Sequence, residues 1–444
     1  MALRKKNNDL DFKAPSGKKI AKVAAGSIIG SVIEQYDFLV TGIIAATVWG
    51  TVFFRTSLLA GIAAALAVYG LGIVIRPVGA YIFGHIADRH GRKNALVYAL
   101  TLMGVATLLI AITPGYAVLG ALAVVFLLIF RILQGISFGA EFGTASTWVV
   151  EYAAKSKHRA FWGAWTGFAI PFGLLLGFGS VLAVTSSMSH AAFVSYGWRL
   201  LFVLGFLVAV VGIIIRMKLT DSMLFDNYRK KRKVLDYPAS RVWKEMPGRI
   251  LGTSLVNAMF GGTFFLAFVF GTSYMTAVGF TPVAAETIGF IAAIGMFVFM
   301  LISSILTDRI GRRPVLLISA IVLIIFIIPY FALINTGNFW LAALADLIGF
   351  GFVFGFGYGA IPVFYTENFP TKYRASGASA SYQIAQVYGG GALPIIAGII
   401  LVAVGIHIAY LYIGIITMVY AVLAIAAILY FKETRNVDLI KYEK

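Results

Sequence analysis

Six ionisable side chains interrupt long apolar runs: Glu34, Asp37, Arg76, Arg131, Glu141 and Asp346. A carboxylate in such a place can take up and release a proton. A guanidinium presents a rigid fork of donors that matches a carboxylate in two-point fashion. Acids and arginines held at one depth can therefore exchange partners, so that a proton and a small anion bind together. The alternative is a set of structural ion pairs between helices, which contribute little net stability. Because each such charge costs about 2.5–3.5 kcal/mol at the centre of a bilayer on insertion scales, a functional role is the first reading.

The elements that must carry these residues are membrane helices. The chain has 444 residues, 60% of them hydrophobic and only 12% charged. A water-soluble protein of this size lacks the polar surface such a composition would need. Apolar segments near 20–49, 58–85, 94–113, 117–153, 159–184, 198–218, 249–277, 283–307, 314–335, 339–367, 374–403 and 407–431 predict twelve transmembrane helices. Most are long enough for a hydrocarbon core of about 30 Å, and no two-residue alternation suggests a membrane barrel. The first 19 residues are polar and the first apolar run is too long for a cleavable leader. With no cysteine, disulfides and thiolate metal sites are excluded. The five histidines show no metal spacing, and no cofactor is implied. No Walker A loop or Ser-His-Asp set is present, which argues against an ATP-driven pump and against an enzyme. Gly355 to Ala360 imitates a dinucleotide fingerprint, but no strand precedes it. Its glycines at 351, 355 and 359 instead give one small helix face for close packing.

Charge placement sets the expected orientation. All but four of the 36 lysines and arginines (Arg55, Arg76, Arg131 and Arg199) fall on one side of a twelve-crossing topology. By the positive-inside rule that side is the cytoplasm, with both termini there. The net charge of +18 then reads as orientation and contact with anionic lipid rather than nucleic-acid binding. The expected organisation is a tail at 1–19, a six-helix bundle at 20–218, a linker at 219–248, a second six-helix bundle at 249–431 and a tail at 432–444.

At 1.5 Å per residue, Glu34 and Arg76 lie about 18 Å from the inner ends of their helices and Glu141 about 15 Å. Asp37 shares a helix face with Glu34. Arg131 and Asp346 lie about 30 Å from the inner end, at nearly matching places in the two bundles with opposite charge, as if to meet in an outer gate. Arg199 reads as an anchor for the sixth helix at the outer interface.

A repeat links the two bundles. Arg76 to Lys93 reads R-P-V-G-A-Y-I-F-G-H-I-A-D-R-H-G-R-K, and Thr307 to Arg313 repeats its end as T-D-R-I-G-R-R. Glu151 and Arg159 follow Asp88 much as Glu367 and Arg374 follow Asp308. The first turn resembles the G-x-x-x-D-R-x-G-R-K loop of major facilitator transporters. The preceding Arg-Pro narrows the resemblance to the metabolite–proton symporter family. Three further stretches are similar to that family's motifs. G-S-V-I-E-Q-Y-D-F in the first helix resembles G-N-x-x-E-W-Y-D-F, with Ser31 and Gln35 at its two departures. Arg131 to Glu141 carries the R-x-x-Q-G of the fourth helix. Tyr358 to Arg374 resembles the tenth-to-eleventh helix junction.

The resemblance implies a monomeric secondary transporter of the plasma membrane, moving a small molecule with a proton by alternating access. Arg76 and Arg131 suit a mono-, di- or tricarboxylate. Gln134, Tyr36, Trp165, Asn257, Tyr358, Tyr382 and Gln386 are further candidates for the substrate site. Glu34, Asp37, Glu141 and Asp346 are the candidates for the proton. Asp88, Arg92, Glu151, Arg159, Asp308, Arg312, Glu367 and Arg374 form a latch between the inner ends, or else solvated loops that only set topology. A zwitterion such as proline or betaine is the second substrate class. A transporter-like receptor is the third reading, with no signalling domain in the chain to favour it.

Overall fold

The computed structural model describes residues 15–222, 224–226, 229 and 235–439. Parts of the expected tails (1–14, 440–444) and of the basic linker stretch (223, 227–228, 230–234) lie outside the described residues. Within them the secondary structure is helical. Eleven helices are long and apolar enough to span: α1 Gly17–Ile44, α2 Ala64–His90, α3 Arg92–Ile112, α4 Ala121–Tyr152, α5 Arg159–Ser186 and α6 His190–Met217 in the first half, and α8 Val283–Ile310, α9 Arg312–Asn335, α10 Phe339–Glu367, α11 Thr371–Leu401 and α12 Ile408–Tyr430 in the second. The more polar Pro247–Phe265, continuing helically to Val278, fills the remaining place as α7.

Local chemistry fixes the ends. Pro247 and Pro282 open α7 and α8 in the first turn, where the missing N–H is not needed. Asn338 accepts from the N–H groups of Trp340 and Leu341 to start α10. The two repeated turns pivot on Gly91 and Gly311, at φ 109° and 107°, a conformation any side chain would strain. Five π-helical turns interrupt the spans, at 45–49, 193–197, 266–271, 347–352 and 386–392. Asp346 immediately precedes one and Gln386 begins another, in keeping with the habit of π-turns to mark functional sites.

The halves meet along α2 and α4 against α11, and α5 against α8. Within the second half, Gly355 brings α10 so close to α8 that a Cβ there would sit 2.5 Å from the Met296 carbonyl. The linker helix Pro238–Glu245 lies across the basic face, against α2 and α11.

Candidate substrate and coupling site

The charges of the first half sort into three acid–arginine pairs. Arg76 Nη1 donates to Glu34 Oε1 over 3.2 Å. Arg131 Nη1 lies 3.6 Å from Asp37 Oδ2. Arg216 contacts both oxygens of Glu141, which also accepts from Ser31 Oγ at 3.1 Å. All six side chains are buried. The third pair corrects the sequence reading, which counts Arg216 among the surface charges below the sixth helix. Its guanidinium is inside the bundle, also donating to the carbonyls of Gly26, Ser27 and Leu96. Glu141 is thus held by a dedicated cation, away from the cavity.

A cavity of about 30 Å³ lies between the halves, with room for one or two waters. Arg76 and Gln35 reach it from the first half, and Tyr358, Tyr382 and Gln386 from the second. Phe38, Phe264, Phe265 and Phe354 supply most of its apolar wall. The two tyrosine hydroxyls are 2.9 Å apart, and Phe142 stacks on Tyr382 with centroids 4.0 Å apart. Arg76 Nε and Gln386 Oε1 have no hydrogen-bond partner, so both retain capacity for a guest. The Arg76 guanidinium is steadied by the Phe138 ring, 4.8 Å away.

Other candidates lie elsewhere. Gln134 donates to Asp37 (2.9 Å) and Thr107 (2.7 Å) and accepts from Arg131 (2.7 Å), so it and Arg131 form a closed network around Asp37. Tyr36 turns away and donates to the Leu201 carbonyl at 2.7 Å. Trp165 packs on Trp162 and Phe168. Asn257 is buried with neither amide atom paired, outside the cavity wall. Arg131 and Asp346 do not pair in this conformation: Arg131 faces Asp37, and Asp346 accepts from Tyr330 at 3.2 Å. Matching depth along two helices did not fix which way each side chain faces. Arg199 donates to the carbonyls of Ala111 and Thr113, closing the end of α3.

At the basic face the eight latch candidates come together in a crossed arrangement. Asp88 accepts from the N–H groups of Ala375 and Ser376 at the start of α11, at 3.1 and 2.8 Å. Asp308 accepts from Ala160 and Phe161 at the start of α5, at 2.8 and 3.0 Å. Each half thus caps a helix of the other, where the helix dipole favours an anion. Glu151 is held by Arg92 of its own half and Arg374 of the other. Glu367 is held by Arg312 of its own half and Arg159 of the other. Gly84 permits the approach, since a Cβ there would sit 2.8 Å from Ser376 Cα. This face is shut.

Two acids of this assembly were missed in the sequence. Asp221 after α6 accepts from the N–H groups of Arg92 and Lys93. Glu433 after α12 accepts from those of Arg312 and Arg313. Their equivalent distance past the last helix of each half was the available signal. Burial pushes the Asp221 carboxyl above the usual range, against the pull of its N–H partners.

Twelve helices in two matching halves, with a small cavity between them and a network of buried ion pairs at one face, give the architecture of a multi-pass membrane transporter. The sequence matches the Major Facilitator Superfamily model over residues 28–392 and 253–441. It is 31% identical over 426 residues to the inner membrane metabolite transport protein YhjE of Escherichia coli, covering 94% of this chain and 95% of that one. It is 31% identical to the Escherichia coli shikimate transporter (85% and 86% covered) and 30% identical to the citrate-proton symporter of Salmonella typhi (83% and 84%). The structure of the proton:xylose symporter XylE bound to 6-bromo-6-deoxy-D-glucose superimposes with a TM-score of 0.78 at 19% identity, covering 96% of this chain and 99% of that one. The chain belongs to the major facilitator superfamily, and it is a transporter.

Proposed function

We propose that the protein is a proton-coupled symporter of a small organic anion, a mono-, di- or tricarboxylate, working by alternating access. The observation that carries this reading is Arg76: a buried guanidinium in the wall of the central cavity, tied to Glu34 by one nitrogen and with Nε unpaired. A carboxylate entering there meets a two-point donor. Protonation of Glu34 would release that donor, linking anion to proton. The names of the shikimate and citrate-proton relatives agree with a carboxylate substrate, and the second with proton coupling. The basic face is the cytoplasmic one by the positive-inside rule, which puts both termini inside the cell and the bundles in the plasma membrane. Residues 20–218 and 249–431 form the moving halves, and the chain works as a monomer.

The aromatic wall of the cavity favours a second substrate class. Phe38, Phe264, Phe265 and Phe354 beside Arg76 would suit a zwitterion, with its carboxylate on the arginine and a quaternary ammonium against the rings.

A thermal-shift screen of purified protein against carboxylates, betaines, amino acids and sugars at two pH values tests both. A ligand of the folded state raises the melting temperature. Stabilisation by carboxylates that strengthens at the lower pH supports the first reading. Stabilisation by betaines alone supports the second, and by sugars alone overturns both.

A further inference from the structure

The shut basic face gathers more cations than the latch uses. A cleft of about 390 Å³ opens between the turn before α5 and the start of α9 with the segment after α12. Lys155, Lys157 and Arg159 enter it from the first half, and Arg312 and Arg435 from the second. Asp308 is the single acid among its described lining residues, and its oxygens are occupied by the N–H groups of Ala160 and Phe161. Arg159 and Arg312 share Glu367 behind the wall. Lys157 and Arg435 are exposed and form no ion pair among the described residues.

No aromatic ring is among its described lining residues, so the described wall offers nothing to stack on a base or a steroid. It offers instead several cationic donors around a space wider than one carboxylate. That is the chemistry of a phosphate chain, whose many oxygens make charge-assisted hydrogen bonds with guanidinium and ammonium groups. The segment after α12 already bridges the halves here, since the carbonyls of Arg435 and Val437 accept from Arg159. In this shut form the cations of the two halves converge on one cleft. An anion spanning them binds the shut form better, and a ligand shifts an equilibrium by that difference.

We propose that this cleft is a binding site for a soluble polyphosphate-class anion, and that the bound anion holds the basic face closed. The site would slow release at this face and so regulate transport. It uses only the closed latch and is independent of which substrate the central cavity takes.

The test uses the full chain in nanodiscs of phosphatidylcholine, with spin labels on Tyr98→Cys and Ile310→Cys at the basic ends of α3 and α8. The probe is inorganic pyrophosphate, titrated at constant ionic strength. The short-distance, closed population should grow and saturate. Lys157→Gln with Arg435→Gln should weaken the apparent affinity at least tenfold, and Lys157→Arg with Arg435→Lys should restore it. No change in population, or an equal response in the Gln variant, overturns the proposal. The second arm replaces part of the lipid with phosphatidylglycerol and omits pyrophosphate. If that alone closes the face, and the Gln variant loses the effect, the site belongs to lipid headgroups and the soluble ligand is ruled out.

Discussion

Arg374, at the start of α11, donates Nη1 to Oε1 of Glu151, at the end of α4, over 2.9 Å. The opposite exchange joins Arg159 to Glu367 at 2.7 Å. Each half therefore lends an arginine to the other half's acid, and the closed face is held by two crossed ties rather than one. Asp88 and Asp308 add the crossed helix caps. Seven of the eight latch groups are buried and Asp308 is half-buried, which makes the loss of one partner expensive.

Asp88→Asn should open this face. Ala375 and Ser376 each donate to a separate carboxylate oxygen; the amide puts an NH2 donor in place of one of them, and the neutral group no longer attracts Arg92. A loss of about 2–3 kcal/mol from the closed form would shift the ratio of forms by a factor of roughly 30 to 150. Because the natural sequence has no cysteine, single-cysteine reporters on each face read the change directly. Labelling should rise at the basic face and fall at the other. Unchanged rates at both would remove Asp88 from the latch.

Arg76→Lys should cripple substrate binding while the protein still reaches the membrane. The ammonium keeps the charge but loses the planar fork. An affinity loss of at least tenfold, about 1.4 kcal/mol, is expected for the ligand found in the thermal-shift screen. Near-normal counterflow by the Lys variant would show that Arg76 does not touch substrate.

The Glu141–Arg216 pair should behave as structure. Glu141→Gln leaves a buried guanidinium without its counter-charge and should cost about 3–5 kcal/mol. Replacing both, as Glu141→Gln with Arg216→Met, should recover most of that loss, since an apolar substitute for a buried pair is often neutral. Thermal unfolding of the single and double variants measures the coupling. A double variant as unstable as the sum of the singles would contradict the pairing.

How far the sequence could be read follows from what each signal depends on. The twelve spans depend on length and hydropathy, and the charged turns of the basic face on a motif that recurs in the second half, so the places of both were legible. Arg216 was not, because a cation in the last turn of a helix looks like an ordinary topology signal. Its burial depends on Gly30, whose missing Cβ leaves room for the guanidinium. The Arg131–Asp346 pairing, absent in this conformation, was not legible for a related reason. Position along a helix gives depth, but the facing direction depends on neighbours, and Gln134 and Asp37 claim Arg131 first. Gln35 stood out as a departure from the first-helix motif without a sign of its place in the cavity, and the phenylalanines of the wall carry no one-dimensional mark that separates them from packing residues.

The linker helix should loosen on acidification. Burial raises the Glu245 carboxyl, but hydrogen bonds from Lys372 and Tyr373 outweigh it and hold the group below its ordinary value. A lowered carboxyl contributes stability above its unfolded value, and that contribution is lost as pH falls through the lowered one. The protection of the amides over 238–245, taken relative to their intrinsic exchange rate at each pH, should therefore fall in acid, with little change between neutral and mildly alkaline pH. Glu245→Gln should show the faster exchange already at neutral pH. A variant with the same pH profile as the natural chain would assign the effect to another group.

Coupling is the sharpest consequence of the charge arrangement. With Arg216 counted, Glu34, Asp37 and Glu141 face Arg76, Arg131 and Arg216, so the interior of the first half is formally neutral. Glu141 has both oxygens committed to Arg216. Asp37 is held by Arg131, Gln134, Thr41 and Thr107. Among the described residues Glu34 has a single polar contact, to Arg76, and it is Arg76 that lines the cavity. Protonating Glu34 leaves one uncompensated positive charge at the cavity wall, and an incoming anion restores neutrality. Proton and anion then favour each other's binding by the same factor. Glu34→Gln should resemble the protonated form permanently. It should bind substrate with little pH dependence and still exchange labelled for unlabelled substrate. It should fail to accumulate substrate against a gradient when driven by a pH difference. Counterflow and proton-driven uptake, measured side by side in proteoliposomes, separate these outcomes. If Glu34→Gln and Asp37→Asn both keep full proton-driven accumulation, the first helix does not carry the proton. Asp346 is then the next candidate, ahead of Glu141, because its recorded contact is a tyrosine hydroxyl and it forms no ion pair among the described residues.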